Sequence, residues 1–209
     1  MNKHPWSLLL AATAGLAAIL TPLSARAAAT IYVSNAGNNT IEQFTEAGVG
    51  SVFASTGLNN PQGLAFDSAG NLYVANAGNN TIMKFTPGGV GSVFASTGLD
   101  APQGLAFDSA GNLYALNPGL GTIEKFTPGG AGSVFASGFG PNTGRNGLAF
   151  DIAGNLYVAT AGSGFFPSPV RILRFTPGGV GSVYAEEDFS FLTTFTEGLA
   201  FVASKAVAV

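Results

Sequence analysis

The stretch GLAFDSAGNLYVANAGNNTIMKFTPGGVGSVFASTGLDAPQ, residues Gly63–Gln103, determines the fold. It contains four short runs of strand-forming residues, GLAF, NLYVA, TIMKFT and GSVFAS, separated by the turn-forming clusters DSAGN, NAGNN and TPGG. Alternation in NLYVA places Leu72 and Val74 on one face and Tyr73 and Ala75 on the other. The stretch is therefore predicted to form four strands, which we term A to D in chain order.

The GLAF run recurs along the chain. Its glycines, Gly63, Gly104, Gly147 and Gly198, are separated by 41, 43 and 51 residues. A period near 40 residues that divides into four short strands is typical of a β-propeller blade. One such sheet cannot cover both of its faces, so the sheets must stack. The sequence predicts an all-β propeller of four-stranded antiparallel blades.

The number of units predicts how the propeller closes. The units comprise about 31–62, 63–103, 104–146 and 147–197, followed by a closing strand at 198–202. The first unit supplies strands B, C and D without A, and the last GLAF run supplies an A strand. Joining the two gives four blades and removes free sheet edges. In the alternative, Ala203–Val209 is a degraded strand B of an open array that closes by dimerising.

The amino-terminal segment differs from the repeats. Lys3 precedes an apolar run, Leu8–Leu20, and Ala25-Arg26-Ala27 fits the small-residue rule for signal-peptide cleavage. Residues 1–27 are therefore predicted to be a signal peptide and residues 28–209 a secreted or periplasmic propeller. The alternative is an uncleaved anchor. No later segment is predicted to span a membrane, because none is long and apolar enough.

Composition excludes several kinds of site. Without the predicted signal peptide the chain keeps six basic and eleven acidic residues, a formal net charge of −5, and no His or Cys. This excludes a disulfide framework, zinc bound by Cys or His, a Ser-His-Asp triad and a Cys-His pair. The few scattered basic residues and the negative charge predict no nucleic-acid partner.

The pattern P-x-G-L-A-x-D-x-x-G-N-L-Y-V-A, a turn, and T-I-x-K-F resembles the NHL-repeat propellers, which are related to virginiamycin B lyase-like and gluconolactonase-like propellers. The resemblance covers nearly all of residues 31–202. It implies the fold but not the function, because such propellers host unrelated activities. NHL propellers usually have six blades. Each of their units usually has an Asp after strand B and a basic residue before the strand C isoleucine. In this chain the Asp is replaced by Asn35, Asn76, Asn117 and Thr160. The basic residue is replaced by Thr40, Thr81 and Thr122.

The resemblance also bears on catalysis. A virginiamycin B lyase-like site uses histidine, as does a zinc-dependent amidating lyase, and none remains after the signal peptide. A gluconolactonase-like site needs Glu, Asn and Asp around a metal in the central channel, and the GLAF strands offer no evident set. A secreted non-catalytic binding or scaffold propeller is therefore favoured over a metal-dependent lactonase- or lyase-like enzyme. A structural or cell-surface array element is a third reading.

Strand alternation assigns the loops to two rims. The first rim carries the A–B and C–D turns, and the second carries the B–C and D–A loops. On the first rim an Asp-x-Ala-Gly-Asn turn recurs at Asp67 and Asn71, Asp108 and Asn112, and Asp151 and Asn155. These are predicted to be structural turns in which Asp caps its own backbone, with calcium binding as the alternative. No cofactor is expected, and calcium at Glu186–Asp188 is the weaker alternative.

The second rim is where the units differ. The B–C loop NAGNNTI occurs at Asn35–Ile41 and Asn76–Ile82 and is predicted only to reverse the chain. Three later loops of this rim are expanded, Gly138–Asn146, Ala161–Arg171 and Glu186–Glu197. Variable loops on a rigid scaffold are common binding sites. The candidate ligand-binding residues are Arg145, Phe165, Phe166, Arg171, Glu186, Glu187 and Asp188. The expected ligand is a protein, peptide or carbohydrate. In the alternative, the phenylalanines fill gaps in irregular blades.

Overall fold

The computed structural model describes residues 30–138, 147–160 and 170–187. Within these ranges the chain forms fifteen β-strands in four antiparallel sheets and contains no helix. Accordingly, this part of the chain holds no helix suited to crossing a bilayer. The prediction of an all-β fold is confirmed.

The first two sheets contain the two copies of NAGNNTI. The first sheet consists of β1 (Ile31–Asn35), β2 (Thr40–Phe44) and β3 (Gly50–Ala54). The second consists of β4 (Pro61–Phe66), β5 (Leu72–Asn76), β6 (Thr81–Phe85) and β7 (Gly91–Ala95). Strands β4 to β7 are the predicted strands A to D of Gly63–Gln103. Their ends differ from the prediction by one or two residues.

The other two sheets repeat this order. The third consists of β8 (Leu105–Phe107), β9 (Leu113–Asn117), β10 (Thr122–Phe126) and β11 (Gly132–Ser137). The fourth consists of β12 (Leu148–Phe150), β13 (Leu156–Thr160), β14 (Val170–Phe175) and β15 (Gly181–Glu187). Four sheets agree with the predicted number of blades. The closing strand at 198–202 lies outside the described residues, so closure of the ring stays a prediction.

The sheets stack through alternating faces of their strands. In β5, Leu72 and Val74 are fully buried against the first sheet, and Tyr73 and Ala75 are buried against the third. Burying one large apolar side chain contributes roughly 1.5–3 kcal/mol. Three apolar clusters of this kind lie between consecutive sheets and form the core of the described residues. The predicted assignment of β5 residues to two faces is confirmed.

Aromatic side chains connect consecutive sheets. Tyr73 makes edge contacts with Phe94 of its own sheet and Phe107 of the next, each with ring centroids 4.9 Å apart. The same contacts join Tyr32 with Phe53 and Phe66, and Tyr114 with Phe135 and Phe150. Phe66 is 46% exposed although it contacts the Tyr32 ring. Other aromatic ring pairs also join consecutive sheets.

The inner strands approach one another closely. The A strands β4, β8 and β12, which we call the inner strands, are neighbours in that order, and β1, a B strand without an inner strand of its own, lies beside β4. The Gly63 N–H donates to the Gln103 carbonyl at 2.9 Å, so a main-chain hydrogen bond joins the second and third units. A Cβ atom at position 63 would lie 2.0 Å from that carbonyl oxygen. Only glycine permits this contact, which explains the glycine that begins GLAF.

Candidate functional site

The first rim is built from self-capped turns. Asp67 Oδ1 accepts the N–H of Ala69 at 2.9 Å and of Asn71 at 2.8 Å, and its Oδ2 accepts Asn71 Nδ2 at 2.7 Å. The Tyr73 hydroxyl donates to the same Oδ2 at 3.4 Å. The same set of bonds recurs around Asp108 and Asn112, and around Asp151 and Asn155. Both carboxylate oxygens are therefore used by the turn itself.

The charge of these turns is stabilised locally. Burial alone would raise the pKa of Asp67, but hydrogen bonds from Asn71 and Ala69 outweigh it and lower the pKa. The side-chain hydrogen bond from Asn155 is the main reason that the pKa of Asp151 is lowered. A folded-state pKa below the unfolded value stabilises the fold above about pH 4, and this stabilisation is lost as the pH falls through the folded-state pKa.

On the second rim, each NAGNNTI loop binds the next D–A loop. Asn39 has a left-handed backbone, with φ of +57°, and its Oδ1 accepts the N–H of Asn60 at 2.7 Å. Asn80, also at φ +57°, accepts the N–H of Ala101 at 2.8 Å. We call these two hydrogen bonds the loop clasps. The prediction that NAGNNTI only reverses the chain is thus incomplete, because the loop also holds the connection to the following unit.

The D–A loop is held from its other side by the asparagine that replaces the usual Asp. Asn76 is fully buried; its Nδ2 donates to the Gly57 carbonyl at 2.8 Å and its Oδ1 accepts the Asn59 N–H at 3.2 Å. An ionised aspartate could accept but not donate. This departure from the usual NHL pattern therefore has a structural reason.

The third unit keeps the backbone of this loop but loses the clasp. Gly121 occupies the position of Asn39 and Asn80 with φ of +63°, and it has no side chain that could accept a hydrogen bond. Asn117 Nδ2 still donates to the Gly98 carbonyl at 2.8 Å, whereas its buried Oδ1 makes no hydrogen bond. The third unit therefore has no side chain that could form a clasp with the D–A loop that follows it.

A buried carboxyl group lies close to the unclasped loop. Glu124 on β10 is 5% exposed, and Thr122 Oγ1 donates to it across 3.5 Å. Burial raises the pKa of Glu124, and the Thr122 hydrogen bond only partly opposes this. The equivalent residue of the second sheet is Met83. Glu124 was not among the predicted site residues, although aligning the units would have shown Glu42 and Glu124 at a position that holds Met83 and Leu173 in the other two units.

The structure brings together two of the seven predicted ligand-binding residues. Arg171 on β14 and Glu186 on β15 are cross-strand neighbours, and Arg171 Nη2 donates to Glu186 Oε1 at 2.9 Å. Their side chains are 49% and 42% exposed. For Glu187, which ends β15, the backbone alone is described. The other four, Arg145, Phe165, Phe166 and Asp188, lie outside the described residues.

Within the described ranges, no three His, Cys, Asp or Glu side chains are grouped so that they could hold a metal ion. Asp188 lies outside the described residues, so the calcium alternative at Glu186–Asp188 stays a prediction.

Comparisons with known proteins fit this architecture. The model of the NHL repeat family matches residues 58–85. No curated protein sequence matches the chain significantly. The chain is similar in structure to a chain of the nidogen–laminin complex, with a TM-score of 0.64 and 19% identity over 77% of this chain and 62% of that one.

Two other similar structures carry the names of enzymes. Virginiamycin B lyase from Staphylococcus aureus has a TM-score of 0.61 and 15% identity, over 74% of this chain and 51% of that one. A putative gluconolactonase has a TM-score of 0.61 and 18% identity, over 83% and 64%. The chain thus spans between half and two thirds of the length of these three structures. At such identities the likeness concerns the fold. Taken together, the stacked four-stranded sheets and these structural neighbours give the chain a β-propeller-type fold, with an NHL repeat matched at residues 58–85.

Proposed function

We propose that the protein is a secreted, non-catalytic binding or scaffold propeller whose ligand surface is the second rim of the third and fourth units. The observation that carries the proposal is the replacement of the clasp asparagine by Gly121 in a chain whose first two loops are identical. The clasp is lost where the following D–A loop, residues 138–146, becomes longer and different.

The first two units have little to offer a ligand on this rim. The amide oxygens of Asn39 and Asn80 are engaged by main-chain N–H groups of the neighbouring loops. A ligand would have to replace these hydrogen bonds. The third unit has no clasp of this kind, so a ligand at its rim would have no such hydrogen bond to replace.

The fourth unit supplies charge at the end of its B–C loop. Arg171 and Glu186 form an exposed ion pair, and exposed pairs contribute roughly 0–1 kcal/mol to stability. Their exchange for contacts with a ligand therefore has a small cost. Phe165 and Phe166 belong to the same loop, and aromatic residues with arginine are enriched at the centres of protein interfaces.

These features favour a protein or peptide ligand. Protein recognition has a precedent in this fold, since one structural neighbour is a chain of the nidogen–laminin complex. The lyase and gluconolactonase neighbours show that similar folds also occur in proteins named as enzymes. A carbohydrate ligand and a metal-dependent lactonase- or lyase-like activity are the competing outcomes of the test.

The test compares an expanded loop with a native short one. In one variant, Thr160–Ile172 is replaced by Asn-Ala-Gly-Asn-Asn-Thr-Ile, the B–C loop of the first two units. A phage-displayed peptide library and a glycan array are screened against the unaltered protein. Selected peptides should bind the loop variant and Arg171→Ala at least about tenfold more weakly, a loss of about 1.4 kcal/mol. Asn38→Ala, on the NAGNNTI loop of the first unit, is the matched control.

Three results would contradict the proposal. Peptides that bind the loop variant and the unaltered protein equally would place recognition elsewhere. Ligands found on the glycan array alone would change the ligand class to carbohydrate. Lactone hydrolysis that depends on added calcium and is lost in Glu186→Ala would favour the enzyme instead.

A further inference from the structure

The first sheet exposes a face that the other sheets bury. Ile31 and Val33 are 62% and 44% exposed. The residues at the equivalent positions of the other sheets are all at 0% exposure: Leu72 and Val74, Leu113 and Ala115, and Leu156 and Val158. The sequence of β1 is therefore that of a buried strand, although nothing in the described residues covers this face.

The same strand has an unpaired edge. Strands β5, β9 and β13 each pair with an inner strand, through Leu64 opposite Val74, Leu105 opposite Ala115 and Leu148 opposite Val158. In the described part of the chain, β1 pairs only with β2. Its other edge offers main-chain donors and acceptors beside an apolar face, which is the combination that attracts an added strand.

The chain contains a segment that matches this vacancy. Gly198–Phe201 reads GLAF, as do residues 63–66, 104–107 and 147–150, which form or contain the inner strands β4, β8 and β12. It belongs to residues 188–209, which follow the fourth sheet and lie outside the described residues. By analogy with the three inner strands, Leu199 would lie opposite Val33.

The arrangement of the sheets indicates whose segment fills the vacancy. The three apolar clusters join the sheets in a row, so the first and fourth sheets are its two ends. The far end also exposes an aromatic residue, Tyr184, at 60%. Close contacts join β1 to β4, β4 to β8 and β8 to β12, whereas no comparable contact joins β12 to β1 within the described residues, so the four sheets form an open arc there. A segment that follows the fourth sheet starts at the end of the arc farthest from β1.

We propose that the Gly198–Val202 segment of a second copy pairs with β1, and that the same contact is made reciprocally. The two arcs then form one closed dimer with twofold symmetry, in which both exposed ends are buried. The occupant is a second copy of this chain rather than the chain's own tail.

The absence of cysteine from the sequence allows a direct test. Val33→Cys is combined with Leu199→Cys, and the protein is oxidised and run on a non-reducing gel. The proposal expects a covalent dimer. A disulfide that forms within single chains would overturn it in favour of closure by the chain's own tail. The unaltered protein should show twice the mass of one chain by light scattering and dissociate on about a hundredfold dilution, as mass action requires. A single-chain mass at every concentration would also overturn it.

Substitutions locate the interface. Ile31→Thr with Val33→Thr keeps the strand preference of β1 and should weaken the dimer at least about tenfold, with unchanged circular dichroism. If that variant does not fold, Leu199→Asp makes the same test from the other side. Val52→Glu, at a 58% exposed valine on β3 of the same sheet, is the matched control and should leave the dimer intact. A dimer that survives both substitution sets, or is lost with Val52→Glu alone, would refute the contact at β1.

Discussion

The second-rim loops of the first and third units have nearly the same backbone but different hydrogen bonds. Asn39, at φ +57°, binds the loop that leads to the next unit, whereas Gly121, at φ +63°, binds nothing through a side chain. The buried asparagines of the second and third units also differ, although each binds a D–A loop that a clasp holds. Asn76 uses both ends of its amide, whereas Asn117 leaves its Oδ1 without a hydrogen bond. One backbone therefore supports both a closed loop and one with unused polar groups.

This difference separates two requirements of a repeat. The left-handed residue is needed to reverse the chain between strands B and C, so each unit with a short loop keeps Asn or Gly there. The side chain at that position decides whether the next loop is held. Changes at the asparagines and at Glu124 can therefore test the comparison without altering the strands.

The largest effect is expected from the buried asparagines. Asn76→Ala leaves the Gly57 carbonyl and the Asn59 N–H without partners and should destabilise the protein by about 2–4 kcal/mol. Asn117→Ala removes one well-formed bond to Gly98 and should cost about 1–2 kcal/mol. Urea unfolding followed by circular dichroism measures both. Equal losses of stability would show that the D–A loops bound by Asn76 and Asn117 are held equally well, which would contradict the comparison.

Exchange of Glu124 for the residue of the second sheet should stabilise the protein. Glu124→Met removes a carboxyl that is 5% exposed and has one long hydrogen bond, so a gain of about 1–3 kcal/mol is expected at pH 7. The folded-state pKa of Glu124 is raised, so the folded protein binds the proton more tightly than the unfolded chain. The gain should therefore shrink as the pH falls toward the unfolded pKa of about 4.3.

The control for this exchange is its reverse. Met83→Glu places a carboxyl at the equivalent position of the second sheet, where Met83 is 7% exposed, and should be destabilising at pH 7. Unfolding free energies at pH 7 and pH 4.5 check both signs. If Glu124→Met destabilises the protein at pH 7, the Glu124 carboxyl has a favourable partner. The third unit would then not have less satisfied polar groups than the second.

Removal or addition of a clasp should change stability by about 1 kcal/mol. Asn80→Gly keeps the left-handed backbone but removes the acceptor for Ala101, so the Ala101 amide should exchange its hydrogen faster. Asn39→Gly should do the same for Asn60. Hydrogen exchange by NMR checks both amides. Gly121→Asn is the informative counterpart: a similar gain in stability would mean that the third loop can still be clasped.

The smallest effect is expected on the acceptor side of the second clasp. Ala101 has φ of +49°, a left-handed conformation that the equivalent Asn60 adopts at +50°. Ala101→Gly should stabilise the protein by up to about 1 kcal/mol, because glycine has no Cβ to strain. Thermal unfolding checks this. Ala110→Gly, at a first-rim turn position whose own φ is not left-handed, should destabilise or have no effect.

Much of the fold could be predicted because it depends on local signals. Alternation in NLYVA assigned Leu72 and Tyr73 to opposite faces, and the turn residues between strands assigned the loops to rims. The chain is periodic, so one correctly interpreted unit predicts the others. The four-stranded antiparallel sheets follow from these two signals.

The loop clasps and the exposed first sheet could not be predicted in the same way. Asn39 and Asn60 are 21 residues apart, and their contact depends on how two loops meet on the rim. The exposure of Ile31 depends on what lies beside β1, whereas the sequence of β1 has the pattern of a buried strand. Residue-by-residue patterns describe neighbours along a strand, whereas these features depend on neighbours between units.

The spacing of the clasp has a consequence for how such a chain can lengthen. The 21 residues between Asn80 and Ala101 fit within one 41-residue period, so each copy of the unit encodes both partners of its own clasp. A tandem duplication of one period therefore inserts a new unit together with the bond that fastens it to the next. Gene duplication can add blades without a matching mutation elsewhere, and the near-identity of the first two units is the trace that such growth leaves.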